Sequence, residues 1–135
     1  MVQRLNRHEE PVPAKAGIKR FEDIEAWQLA RELTRKVYRL TKKPRFEKDY
    51  GLKRQIQEAA GSAMHNIAEG FDSETNPEFI RFLRYAKRSC TEVLWTRITF
   101  PQMNFKMSTN RRGARVLPFA VLSTTSRNIK RAWRR

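Results

Sequence analysis

The sequence predicts an all-α fold: an antiparallel up-down four-helix bundle in which the fourth helix is missing or replaced by an irregular basic tail. In three stretches, apolar residues recur at steps of three and four, which places them on one face of a helix. Short segments rich in helix-capping and helix-stopping residues separate these stretches, as between antiparallel neighbours. The 135-residue chain, with 39% hydrophobic and 32% charged residues, has the composition of one globular domain.

The chain divides into a flexible N-terminal arm at 1–20, a helical core at 21–93 and an atypical basic tail at 94–135. Pro11, Pro13 and Gly17 interrupt any helix in the arm. Proline and glycine also interrupt the tail, and no helical period continues past residue 93. The core is therefore expected to contain three helices, at about 24–42, 51–69 and 77–93.

Residues with recognised roles at helix ends bound these three helices. Asp23 is expected to cap the first helix, and Pro44 to stop it. Gly70 is expected to stop the second helix in a left-handed conformation, and Asn76 to cap the third.

The corner between the second and third helices also contains Asn66 and Glu69. We expect their side chains to bond orphaned backbone groups of the 70–76 loop, because buried polar groups need partners. This corner is predicted to orient the second helix against the third. Its role is architectural.

A basic surface on the first helix and the following loop is the candidate binding feature. Arginines at helical spacing, extended by residues of the loop, place cations where they can follow the phosphates of RNA. The alternative is a solvated helix face with no ligand. The predicted residues are Arg31, Arg35, Lys36, Arg39, Lys42, Lys43, Arg45, Lys48, Lys53 and Arg54.

Other residue types favour structural roles over chemistry. Trp27, Phe79 and Phe82 lie at helical spacing and are expected in the core or a subunit interface rather than as stacking platforms. His65 and Glu69 form an i,i+4 pair without a third metal ligand at fitting spacing. We identify no catalytic residue, metal site, cofactor or small-molecule substrate, so the sequence predicts a protein that is not an enzyme.

Several pieces of residues 20–93 resemble the family of four-helix-bundle proteins encoded by intervening sequences in bacterial 23S rRNA genes. The pieces are Phe21-x-Asp23, Trp27-Gln28, Tyr50-Gly51-Leu52, Gln55-Ile56, Asn66-Ile67-Ala68-Glu69-Gly70 and Glu78-Phe79-x-x-Phe82-Leu83. The resemblance implies an up-down bundle that assembles as a cyclic homo-oligomer, a pentamer, and that associates with rRNA or the ribosome. The rival hypothesis is an oligomeric protein–protein scaffold that does not bind RNA.

The C-terminal part departs from this family pattern in a way that suggests a frameshift near Val93. Residues 1–92 hold 19 Lys and Arg against 14 Asp and Glu, whereas residues 93–135 hold 10 Lys and Arg and no acidic residue. Reading 93–104 in the next frame, the genetic code permits Ala-Leu-Asp-Ala-His-Tyr-Phe-Pro-Ala-Asp-Glu, which resembles the turn and fourth-helix start of the family. A decayed, frameshifted product is thus a further hypothesis.

The net charge of +15 favours a polyanionic partner, but two-thirds of it belongs to this tail. If the tail is native, its arginines with Trp133 would form an RNA-binding arm; if it is out of frame, the likeness is accidental. The single Cys90 excludes an intrachain disulfide, and we find neither a signal peptide nor a membrane span. We therefore expect a cytoplasmic protein.

Overall fold

The computed structural model of the chain describes residues 18–100, 113 and 126–127. Within 18–100 the chain is helical, with no strand in that part: a 3-10 turn is followed by helices α1 to α4. This confirms the all-α helical bundle predicted from the sequence. Residues 1–17 of the predicted arm, and all of the predicted tail beyond residue 100 except 113 and 126–127, lie outside the described residues.

Helix α1 spans Glu25–Thr41 and follows a 3-10 turn at Phe21–Asp23. The prediction that Asp23 caps α1 is wrong, since Ile24 occupies the cap position and no side chain there bonds the helix. Asp23 belongs to the 3-10 turn instead. The Gln28 amide donates to the Glu22 carbonyl at 2.9 Å, which ties this turn to the first helical residues. The turn substitutes for a side-chain cap.

A one-turn helix, α2 (Pro44–Glu47), leads into α3 (Tyr50–Asp72). Phe46 is only 1% exposed and anchors α2 in the core. Asp49 caps α3, because its side chain accepts a hydrogen bond from the Leu52 backbone N–H at 3.1 Å. The route between α1 and α3 is therefore fixed at an apolar anchor and at a polar cap.

Gly70 lies inside α3, so the prediction of a left-handed stop at this residue is wrong. The reason for a glycine is the close approach of α4. A Cβ atom added here would lie 2.6 Å from Phe82 Cβ, which is too short for two carbon atoms, and 3.0 Å from Phe79 Cδ2, which is a tight contact. The helix ends two residues later, where the Ser73 hydroxyl donates to the Gly70 carbonyl.

Helix α4 spans Asn76–Thr99, and its cap is Thr75 rather than the predicted Asn76. The Thr75 hydroxyl accepts from the Glu78 backbone N–H at 3.4 Å, whereas Asn76 is already helical and its Oδ1 atom is buried without a partner in the described residues. The helix also continues six residues beyond the predicted end at 93. Thr96 is buried one turn after Val93 and extends the inward face until Phe100, which precedes a proline and has extended backbone.

The predicted bonds from Asn66 and Glu69 to the 70–76 loop are absent from the described contacts. Asn66 donates to the Ser62 carbonyl one turn earlier, at 2.8 Å. Glu69 lies 3.6 Å from His65 on the exposed side of α3. The corner orients α3 against α4, as predicted, but through Gly70 and Ser73 rather than through these two side chains.

Helix α3 is the central element and packs against both α1 and α4, whereas the backbones of α1 and α4 hardly approach each other. Cross-helix contacts give the directions. Thr34 bonds the Ala60 carbonyl at 3.0 Å, and Gln57 bonds Thr41 at 2.9 Å, so α1 runs antiparallel to α3. Ser89 bonds Ser62 at 3.0 Å, and Gly70 contacts Phe79, so α4 runs antiparallel to α3 as well.

One hydrophobic core joins the three long helices. Small residues of α3 let its neighbours approach, since Ala59, Ala60 and Ala63 are each at most 5% exposed. The antiparallel directions bring four elements to one end of the bundle, which we call the basal end. These are the C-terminus of α1, the helix α2, the N-terminus of α3 and the C-terminus of α4.

Candidate nucleic-acid interface

The outward face of α1 carries a row of arginines. Arg31, Arg35 and Arg39 recur every four residues, and all three are exposed because the core-facing positions of α1 lie on the opposite side. The Arg31 guanidinium lies over the Trp27 ring, 5.6 Å from its centroid. Such a cation–π contact orients the guanidinium while leaving its N–H groups open to an anion.

The row continues into the basal end through exposed lysines. Lys42 and Lys43 follow α1, where they complement the negative end of its dipole. Arg45 and Lys48 lie on and just after α2, whose position is fixed by the buried Phe46. These cations are therefore held on a rigid frame next to the α1 row.

Ion pairs reduce the contribution of two predicted residues. Lys36 Nζ lies 2.9 Å from Glu32 Oε1, and the lysine side chain is only 20% exposed. Arg54 Nε lies 2.8 Å from Glu58 Oε1, and the hydrogen bond to Glu58 raises the pKa of Arg54. Lys53 is half-buried at the start of α3. These three contribute less to a surface for phosphates than the seven exposed residues do.

The structure thus brings seven of the ten predicted cations onto one exposed surface, which we call the basic surface. It consists of Arg31, Arg35, Arg39, Lys42, Lys43, Arg45 and Lys48. Arg31 is engaged with the Trp27 ring, and in the described part of the chain none of the other six forms an ion pair with a carboxylate. Their charge is available to an external anion.

A second set of arginines lies on α4 and is tied to aromatic rings. The Arg81 guanidinium lies 5.8 Å from the centroid of Phe82, and that of Arg88 lies 6.0 Å from the centroid of Tyr85. Arg81 also lies 3.5 Å from Glu78. Since α1 and α4 pack against α3 separately, this set does not join the basic surface.

Sequence reasoning assigned no binding role to three exposed apolar side chains at the basal end. Tyr50 is 74% exposed, Trp95 57% and Ile98 70%. For Tyr50 a signal was present, because an aromatic residue at the first position of a helix, directly after a basic loop, has no place in the apolar stripe of that helix. For Trp95 and Ile98 the helical period was assumed to end before them.

The family model described as "23S rRNA-intervening sequence protein" matches residues 22–107, well over half of the chain. The chain belongs to this family. The match reaches beyond Val93, so the similarity does not end where the sequence pattern was expected to break. Comparisons with curated proteins and with solved structures found no match.

The three aromatic residues predicted to be structural are buried to different extents in this family member. Trp27 is half-buried and packs edge-on against Phe21, with ring centroids 5.3 Å apart. Phe79 is 3% exposed, and the half-buried Phe82 stacks edge-on with Tyr85 at 5.9 Å. Phe79 and Phe82 lie against Gly70 of α3, whereas Trp27 packs on the 3-10 turn before its own helix. The burial of Phe79 confirms the core position expected for it.

The description of the family names no enzymatic activity, and no metal-ligand cluster is found in the described ranges. His65 Nε2 and Glu69 Oε1 are 3.6 Å apart, both exposed, and no group of three His, Cys, Asp or Glu forms around them there. Across the same residues no helix has the length and apolar character required to cross a bilayer.

Proposed function

We propose that this chain is a non-enzymatic, cytoplasmic protein that binds ribosomal RNA through its basic surface. The observation that carries the proposal is the arrangement of seven exposed cations on α1 and α2 in a chain of the 23S rRNA-intervening sequence protein family. Cations in a row match the repeating charge of a phosphate backbone and bind it without reading sequence. Cys90 is the single cysteine of the sequence and is buried, so no intrachain disulfide forms, which is compatible with the cytoplasm.

Charge removal at matched positions tests this proposal. The triple variant Arg35→Gln, Arg39→Gln and Lys42→Gln removes three cations from the basic surface. Binding of a 23S rRNA fragment is measured over a range of salt concentrations. Each phosphate contact contributes about 0.7 to 0.9 to the slope of log affinity against log salt, so the triple variant is expected to lower the slope by about 2 to 3.

The control variant Arg84→Gln, Lys87→Gln and Arg88→Gln removes the same charge from exposed positions of α4. We expect it to change the slope of log affinity against log salt by less than the value for one phosphate contact, about 0.7 to 0.9. A basic-surface variant that binds rRNA as tightly as the parent, with the same slope, would refute the proposal. Equal losses in both variants would assign binding to net charge rather than to this surface.

Assembly is a second proposed property, and it is the main activity under the alternative of a scaffold that does not bind RNA. The exposed Trp95 and Ile98 favour it, because large apolar side chains in water stabilise association when covered. We propose a cyclic homo-oligomer, a pentamer by resemblance to the family. Sedimentation at low salt with and without an rRNA fragment separates the hypotheses: a scaffold sediments as the same oligomer in both samples, whereas an rRNA-binding protein sediments together with the fragment and separates from it at high salt.

A further inference from the structure

The two ends of the bundle carry opposite charge. Around the basal end, residues 39–54 hold 7 Lys and Arg against 2 Asp and Glu. At the other end, residues 69–81 hold 4 Asp and Glu against one arginine, and residues 19–25 add 3 acidic and 2 basic side chains. A polyanion is therefore attracted to the basal end and repelled from the opposite one.

Within the basal end, the start of α3 departs from the usual charge pattern. Helices favour acidic residues in the first turn, because the free N–H groups there carry partial positive charge. The first turn of α3 has none, and Lys53 and Arg54 follow directly. Asp49 supplies one compensating carboxylate as the cap. An anion bound at this terminus would offset the remaining positive charge.

Tyr50 occupies the first position of α3, in the middle of these cations. Its side chain is the most exposed large apolar group in the described residues, at 74%. Its backbone is fixed, because the neighbouring Asp49 bonds Leu52 and starts the helix there. Among the described side chains its ring makes no aromatic or cation–π contact. An exposed ring with open faces thus projects from a fixed helix start, with Lys48 two residues before it and Lys53 three residues after it in the chain.

We infer that the basal end binds single-stranded RNA, with a base stacked on Tyr50 while Lys43, Lys48 and Lys53 contact the flanking phosphates. In a duplex the faces of the bases are already stacked, so an aromatic side chain reaches a base only in a loop, bulge or free strand. This inference rests on the proposed rRNA binding and specifies which form of RNA is bound. Recognition is by stacking and charge, independent of base sequence.

The test measures binding of the full chain to two labelled RNAs at one salt concentration: a 12-nucleotide unstructured strand and a 12-base-pair duplex. Tyr50→Ala is expected to weaken binding of the single strand by about five-fold to a hundred-fold, the range that base–aromatic stacking supplies. Tyr50→Phe keeps the ring and is expected to bind like the parent. Duplex binding is expected to be equal in all three proteins.

Tyr85→Ala is the matched control, since Tyr85 is a partly exposed tyrosine of α4 engaged with Phe82 and Arg88. It is expected to leave binding of both RNAs unchanged. Unaltered single-strand affinity in Tyr50→Ala would overturn the inference and leave rRNA binding standing. So would competition by polyglutamate equal to that by the unlabelled strand, which would show recognition of charge alone. A parent chain that binds neither RNA overturns both this inference and the proposed function.

Discussion

Burial in the core changes the acidity of the Cys90 thiol. The side chain is 3% exposed on the inward face of α4, and burial raises the pKa of its thiol to about 12 from an ordinary value of 9.0. A thiolate has no counter-charge there, so the neutral form is retained well above pH 9. Cys90 therefore behaves as a small apolar residue of the core.

This shift in pKa predicts a loss of stability at alkaline pH. Below the unfolded-state pKa the thiol is protonated in both states and adds no pH dependence. Above it the unfolded chain ionises while the folded chain stays neutral, so the free energy of unfolding falls as pH rises toward the folded-state pKa. Relative to Cys90→Ala, the parent is expected to lose about 1.4 kcal/mol per pH unit in this window.

Urea denaturation of both proteins near neutral pH and at about pH 10.5 measures this difference. The comparison with Cys90→Ala cancels the titration of lysine and tyrosine, which the two proteins share. Parallel stability curves across the window would show that the thiol ionises as easily in the folded chain as in the unfolded one. Burial of Cys90 would then not control its proton.

At the scale of elements, the packing of α3 on α4 depends on Gly70. A methyl group at this position meets Phe82 Cβ, an atom close to the α4 backbone that cannot rotate away. Gly70→Ala is therefore expected to lower the free energy of unfolding by about 1–3 kcal/mol from overpacking, despite the better helix propensity of alanine. Thermal and urea unfolding measure the change.

Gly61→Ala is the control in the same helix, because a Cβ atom at Gly61 has no neighbour within 4 Å. Here only helix propensity changes, and a gain of up to about 1 kcal/mol is expected. Opposite signs for the two substitutions would establish close approach as the role of Gly70. If Gly70→Ala also stabilised the protein, the helices would have room to separate at no cost.

Helix existence was predictable from the apolar periodicity, whereas several helix ends were not. Thr75 and Asn76 are both good capping residues, and only the backbone geometry selects Thr75. Asp23 precedes an amphipathic helix as a capping residue would, but it belongs to the 3-10 turn, and Ile24 occupies the cap position of α1. Gly70 has two physical uses, a left-handed stop or a close contact, and the contact partner lies in another helix. These outcomes depend on contacts between helices, which the local sequence does not determine.

For the whole molecule, the basic surface was predictable in outline because helical spacing alone places Arg31, Arg35 and Arg39 together. The sequence does not predict as well which of these cations form ion pairs. Lys36 and Arg54 each have an acidic residue four positions away, but the sequence does not fix the rotamers that pair them. The convergence of Tyr50 and Trp95 at the basal end depends on the antiparallel directions of the helices.

Sequencing the coding DNA tests whether the C-terminal residues arise from a frameshift. We expect the coding DNA across codons 88–106 to contain, in another frame, a continuation with acidic residues and helical period. Such a frame would make the basic tail accidental and leave RNA binding to the basic surface. A sequence without such a frame would contradict the frameshift and assign the ten basic residues after Glu92 to the native protein.

The hydrogen bond from Thr34 to Ala60 has a consequence for the axial register of α1 on α3. Alanines such as Ala30, Ala60 and Ala63 make a smooth contact with few interlocking ridges, so shape alone resists sliding weakly. A slide of one turn, about 5.4 Å, would carry the Thr34 hydroxyl away from Ala60 and separate Thr41 from Gln57. Both pairs are partly buried, so water would replace them poorly. Directional polar contacts, rather than side-chain bulk, therefore select one axial alignment of these helices.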